Sequence, residues 1–240
     1  SWANAFTNPR QAMIDAKCND QIWVAKGKYV HPAGLRQNVF GWTADSVRLL
    51  GGFDGTEATL NERAMTGATI ISGDYGVNDI IGDYTTNRGD NAQCVIKVGP
   101  SSHGKTFVLD GLSILGGNAV STNGGTAIGR IGGGIGAFTN RSFDLKIENC
   151  YFQSNYTGTG GSNGGAAIGI TMNNGSAANP PIINVIINRS TFLENQAGTS
   201  GIVFSYAFGN YATANMVIQN SRFVSNQSDI EIVYSASSKS

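Results

Sequence analysis

Four stretches of this chain repeat one pattern. They are FVLDGLSI (Phe107 to Ile114), LKIENCYF (Leu145 to Phe152), VIINRSTF (Val185 to Phe192) and MVIQNSRF (Met216 to Phe223). Their last positions, Ile114, Phe152, Phe192 and Phe223, lie 38, 40 and 31 residues apart. An asparagine follows each phenylalanine by three residues, at Asn155, Asn195 and Asn226. A glycine-led series runs between them: GGGIGAF (Gly132 to Phe138), GGAAIGI (Gly164 to Ile170) and SGIVFS (Ser200 to Ser205). Aligned on Ile135, Ile168 and Ile202, it recurs at 33 and 34 residues. Two series in a shared order, with unequal loops, describe one structural unit used several times.

Within each unit apolar and polar residues alternate, the period of a half-buried strand. The alternation skips once. Leu145 and Ile147 point one way, Glu148 and Asn149 intervene, and Cys150 and Phe152 resume the apolar face. A tight corner between two short strands explains the skip. Its second residue is Gly111, Asn149, Arg189 or Asn220, and glycine and asparagine accept a left-handed backbone. Arg189 is the misfit. The hairpin signals of a sandwich are missing. Units of this kind bury their faces by lying on one another, strand on strand, about 4.8 Å apart. Phe152, Phe192 and Phe223 then form one column, and Asn155, Asn195 and Asn226 another, with amides bonded along it. The expected fold is all-β, a right-handed parallel β-helix, right-handed because parallel crossovers nearly always are.

The first hundred residues fit less regularly. IWVAKGKY (Ile22 to Tyr29), SVRLLGGF (Ser46 to Phe53), ATIISGD (Ala68 to Asp74) and CVIKV (Cys94 to Val98) read as strands. A short helix is expected before them within residues 7–18, with Asn8 as N-cap and Pro9 at its first position. A stack has an open apolar end, and Ala12, Met13 and Ala16 suit a cap over it. The reading is one domain over 1–240, with irregular coils at 22–100 and regular ones at 101–234. The abrupt start at Ser1 and the Ser-rich tail suggest a piece of a longer protein.

Composition narrows the function. Sixteen basic and sixteen acidic residues give no net charge, so no basic surface is available to displace counterions from nucleic acid. Only 13% of residues are charged and 40% are hydrophobic, which excludes a solvated disordered chain and argues against a helical surface. No apolar run approaches the ~18 residues of a membrane span, so neither membrane insertion nor a signal peptide within Ser1 to Phe6 is expected. Three cysteines without CxxC spacing (Cys18, Cys94, Cys150) read as buried small hydrophobes rather than a disulfide or zinc framework. Two histidines leave little for a histidine base.

SWANAF (Ser1 to Phe6), IWVAKGKY, LLGGFDGTEATLNER (Leu49 to Arg63) and TIISGD (Thr69 to Asp74) together resemble the pectate-lyase-like right-handed β-helix domains of large secreted Bacteroidota surface proteins. The later units resemble the repeats of polymorphic outer-membrane proteins. The resemblance implies an exported, extracellular protein attached at the cell surface, in a group where many members are called adhesins. The same superfamily holds pectate lyases, pectin esterases and polygalacturonases, so the fold is implied more strongly than the function.

Several residues are candidates for a site. Asp110 and Glu148 share a corner position on adjacent units, about 5 Å apart by stacking, a separation suited to a retaining glycosidase pair. Both follow inward residues and so read as exposed corner acids. A polysaccharide lyase needs a base and a cation for the uronate carboxylate. Arg130, Arg141, Lys146, Arg189 and Arg222 lie in the repeat region, yet no column holds two bases. Serine hydrolase chemistry has no G-x-S-x-G. The segment Ser72 to Asn91 interrupts the pattern and carries Asp74, Asn78, Asp79, Asp83 and Asp90, an oxygen-rich set that suits Ca²⁺, the one cofactor the chain points to. Arg88-Gly89-Asp90 within it is an integrin-type triplet that an Asp-rich loop produces by chance. Tyr206, Phe208 and Tyr211 offer aromatic faces to a sugar ring. The Asn-x-Ser/Thr triplets at Asn140, Asn155, Asn174, Asn188 and Asn226 follow from composition.

Two functions remain. The leading one is a non-catalytic β-helical module of a large surface protein, a scaffold or adhesin segment whose partners are glycans or a host or abiotic surface, together with further domains of the same polypeptide. The alternative is a carbohydrate-active enzyme, a lyase before a hydrolase, built on Asp110, Glu148, Lys146 and Arg189. A concave face of converging charges would mark the enzyme, and polar outer columns the scaffold.

Overall fold

The computed structural model describes residues 2–30, 36, 40–42, 44–65, 68–120, 131–158, 164–172, 179–208 and 211–237. Among them are 22 strands in four parallel sheets and one α-helix. The first sheet is built from Gln21–Ala25, Arg48–Phe53, Lys105–Asp110, Phe143–Glu148, Ile182–Asn188 and Thr213–Gln219, in that spatial order. The second runs Gly27–Val30, Thr69–Ser72, Ser113–Leu115, Tyr151–Gln153, Thr191–Leu193 and Arg222–Val224. The third holds Asn118–Ala119, Tyr156–Thr157, Gln196–Ala197 and Gln227–Ser228. The fourth holds Phe40–Gly41, Ile96–Lys97, Ile135–Thr139, Ile168–Met172, Val203–Ala207 and Val233–Ser237. From Lys105 onward the chain visits the sheets in that order and returns to the first one position further along. The arrangement is consistent with a parallel β-helix.

The register matches the repeat. Leu145 pairs with Phe107 and Val185, and Val185 with Met216. Phe152 pairs with Ile114 and Phe192, and Phe192 with Phe223. Leu145, Ile147, Cys150 and Phe152 are buried, as are Val185, Ile187, Ser190 and Phe192 above them. The phenylalanine rings stack at 4.9 Å and 4.5 Å, within 5° of parallel. Asn155 and Asn195 are fully buried. Each donates its Nδ2 to the Oδ1 of the next asparagine, at 3.0 Å and 2.9 Å, and each donates its backbone N–H to the same oxygen. The same Nδ2 atoms reach Ile114 and Phe152 carbonyls, so the amides are satisfied where water is excluded.

The corners are left-handed throughout. Gly111, Asn149, Arg189 and Asn220 have φ of 72°, 51°, 48° and 50°. Arg189 takes the same conformation as its column neighbours, its guanidinium bonded to Asn149 Oδ1 and Glu148 Oε2. A second left-handed column, Gly116, Ser154, Glu194 and Ser225, precedes the asparagine ladder. Serine and glutamate gave no sign of it in the sequence.

One register expectation is corrected. Ile168 pairs with Val203, not Ile202. The glycine-led series is therefore spaced 33 and 35 residues apart rather than 33 and 34, and the slip of one residue reverses which side chains face out. Gly169, on the outer side, shows why glycine recurs in the series: a Cβ there would lie 1.2 Å from the Ile131 carbonyl oxygen.

The helix spans Pro9–Asp15, shorter than expected, with Asn8 accepting from the Arg10 N–H as N-cap. Met13 is fully buried in the core, and Ala12 and Ala16 pack against it. No helix among the described residues is long and apolar enough to cross a membrane.

Candidate functional site

In the strand Val203–Ala207, Val203, Ser205 and Ala207 point into the stack and are fully buried. Phe204 and Tyr206 therefore face outward. Phe204 pairs in register with Tyr234 of the next strand, and their rings stack at 5.1 Å and 9°. Phe208 meets Tyr206 edge-on at 4.4 Å, and Tyr206 lies 6.2 Å from Tyr234. With Thr199, Ser200, Gly201 and Ile230 these rings line a cleft of about 280 Å³ on the outer face of the fourth sheet. In the two preceding strands the position equivalent to Phe204 is Gly136 and Gly169. The aromatic patch thus begins where the glycines stop.

Tyr206 and Phe208 come together in this cleft, and Tyr211, 49% exposed, is not among its lining residues. Phe204 and Tyr234 were not anticipated. Aligning Ile202 on Ile168 places Phe204 opposite inward Ile170, and the segment that ends in the last strand, SDIEIVYSAS, lacks the glycines that mark its predecessors. The chemical capacity of the cleft is plain: aromatic faces for an apolar surface, and hydroxyls at the rim for polar groups.

The acids of the enzymatic alternative lie on the outer face of the first sheet. Glu148 pairs in register with Asp110. Asp110 accepts from Arg63 and from Asn149 Nδ2, both at 2.7 Å. Glu148 Oε2 accepts from Arg189 at 2.9 Å and from Asn188 at 3.1 Å. Lys146 is exposed, in register with Val108 and Ile186. Arg130 and Asn174 lie outside the described residues. The acids are thus already held by guanidinium and amide donors, along an outer face of polar ladders such as Asp144–Asn184–Asn215.

The acidic segment runs along the second left-handed column. Arg88, 3% exposed, donates to the carbonyls of Gly117 and Ser154 and pairs with Asp79 at 2.6 Å. Its guanidinium lies over the Tyr84 ring, and the Tyr84 hydroxyl reaches the Glu194 carbonyl. Burial pushes the Asp79 carboxyl above its ordinary value, with Arg88 and Asn91 acting against that rise. Asp74 accepts from the N–H groups of Asn78 and Asp79. Asp83 folds into its own turn, accepting from Thr85 and Thr86. Among the described residues no three His, Cys, Asp or Glu side chains converge as a metal would require. Of the Arg88-Gly89-Asp90 triplet, Arg88 is buried, Gly89 is exposed and Asp90 is half-buried.

Neither a family model, nor a curated protein, nor a solved structure matches the chain. The likeness to surface-protein β-helix domains rests on the residues quoted for it.

Proposed function

We propose that the chain is a right-handed parallel β-helix serving as a non-catalytic scaffold module of an extracellular, cell-surface protein, and that it holds a glycan in the cleft of Phe204, Tyr206, Phe208 and Tyr234. The observation that carries the reading is this outward aromatic cleft on a stack whose first sheet carries two outer columns of carboxylates and amides, Asp144–Asn184–Asn215 and Asp110–Glu148–Asn188–Gln219. A sugar ring presents an apolar face that stacks on tyrosine or phenylalanine, while its hydroxyls find exposed Thr199. The handedness rests on the chirality of parallel crossovers, and the surface location on the family resemblance.

Titration against a panel of oligosaccharides, followed by calorimetry, tests the site. Tyr206→Ala and Tyr234→Ala each weaken binding by about threefold to tenfold, the worth of one aromatic contact. Absence of binding across the panel, or affinity unchanged in both variants, defeats the assignment. Incubation with pectin, alginate or glycosaminoglycans yields no unsaturated uronate absorbance. Turnover lost in Lys146→Ala or Arg189→Ala would restore the lyase.

A further inference from the structure

The strand Gln21–Ala25 ends the first sheet and has a neighbour on one side only. Ile22 and Val24 point into the core, and Trp23 points out, half-buried. In such an edge strand every second residue turns its N–H and C=O away from the sheet, a template for another strand. All five residues line a cleft of about 840 Å³, whose far wall includes the helix Pro9–Asp15. Trp2 and exposed Phe6 add an aromatic side.

Two features say what fits. Among the described residues lining this cleft, Asp15, Asp20 and Glu57 are acidic and none is Lys or Arg. Glu57 is bonded to the N–H groups of Asp54, Gly55 and Thr56, whereas Asp15 and Asp20 are exposed. Both indole N–H groups already have partners: Trp2 donates to the Glu57 carbonyl at 2.8 Å and Trp23 to Gln21 Oε1 at 3.3 Å. The rings therefore offer faces, suited to an apolar side chain or to a cation. The Ala25 carbonyl accepts from the Tyr29 hydroxyl at 3.0 Å, so the edge on offer is the backbone of Gln21 and Trp23, beside the two exposed carboxylates. A free strand edge, an apolar wall and a negative rim fit an extended segment in which apolar and basic residues alternate, bound by strand addition.

We propose that the cleft beside Gln21–Ala25 accepts an extended basic peptide as an added strand of the first sheet. The probe is the blocked peptide VKVKV, titrated into the full chain while tryptophan emission is followed. Binding shifts the emission and weakens with salt. Methylation of alternate peptide nitrogens, which removes the ladder donors, abolishes it. The pair Asp15→Asn with Asp20→Asn weakens it by about tenfold, the scale of two exposed charge pairs. Asparagine keeps an acceptor oxygen for Gln11 and Lys17, and an unchanged melting temperature verifies that the variant is folded. Equal binding of the methylated peptide, equal binding of VEVEV, no binding of VKVKV, or self-association that buries this edge each overturns the proposal. The glycan cleft lies on another sheet, so neither result decides the other.

Discussion

Arg189 and Gly111 occupy the same left-handed corner by different means. Glycine has no Cβ to crowd the following carbonyl, while arginine incurs that strain and bonds to Asn149 and Glu148. Gly111→Ala is expected to destabilise by about 1–3 kcal/mol in urea unfolding, because the new Cβ also meets Met65 Cε at 2.8 Å. Arg189→Gly is expected to be neutral within about 1 kcal/mol, relief of strain offsetting an exposed ion pair. The thiols divide by burial in the same way. Burial pushes Cys94 and Cys150 up to about 12, against backbone hydrogen bonds that pull the other way, whereas Cys18 is exposed. Thiolate is the reactive form, so a disulfide reagent at pH 8 should titrate one thiol in the folded protein and three after unfolding. Fast reaction of two or more in the folded state would contradict the buried columns. At this scale asparagine and glycine corners could be read from residue type. Ser154 and Glu194 could not, because their conformation is imposed by the stacking of the strands on either side.

The phenylalanine and asparagine columns are elements that exist only between strands. Phe192 is sandwiched between two rings, so Phe192→Ala opens a cavity on both sides and should cost about 3–5 kcal/mol. Asn195→Ala is expected to cost about 1–3 kcal/mol for each group it strands, and it strands the Asn155 N–H groups and the Phe152 carbonyl, while Asn226 Oδ1 keeps the backbone N–H of residue 195. Asn195→Asp keeps the shape but loses the Nδ2 donor, and should be the worse of the two at neutral pH. A melting temperature unmoved by these changes would show that the columns carry no stability. The acidic segment behaves as a strap tied down by Arg88. Since Arg88 already answers the charge of Asp79, millimolar Ca²⁺ and EDTA should leave the melting temperature unchanged. A rise with Ca²⁺ concentration would reveal an ion bound to the folded form. The strap was legible as an insertion but not as a brace. A buried arginine is recognised by the carbonyls it reaches, and those of Gly117 and Ser154 lie 29 and 66 residues away.

At the scale of the whole molecule, the two clefts lie on different sheets: one on the outer face of the fourth, the other along the free edge of the first. Neither has a sequence motif. The aromatic cleft needs Phe204 beside Tyr234, a register that depends on how much chain each loop consumes, and the repeat spacings of 38, 40 and 31 show that this varies. That variation is also why aligning Ile202 on Ile168 failed by one residue while the long strands aligned correctly. In a strand of five residues one step reverses every side chain. The edge cleft is less legible still, since the helix, Trp2 and Glu57 meet Gln21–Ala25 only after the chain has turned back on itself. By itself the sequence determined the stacking unit. Period-two alternation, a corner residue tolerant of positive φ, and an Asn three residues after each Phe are local properties, and identical local units bury themselves best by lying in register. Only the tertiary structure decided which acids were paired, which aromatic rings met and where an edge stayed open, because those depend on distances between residues that no local pattern links.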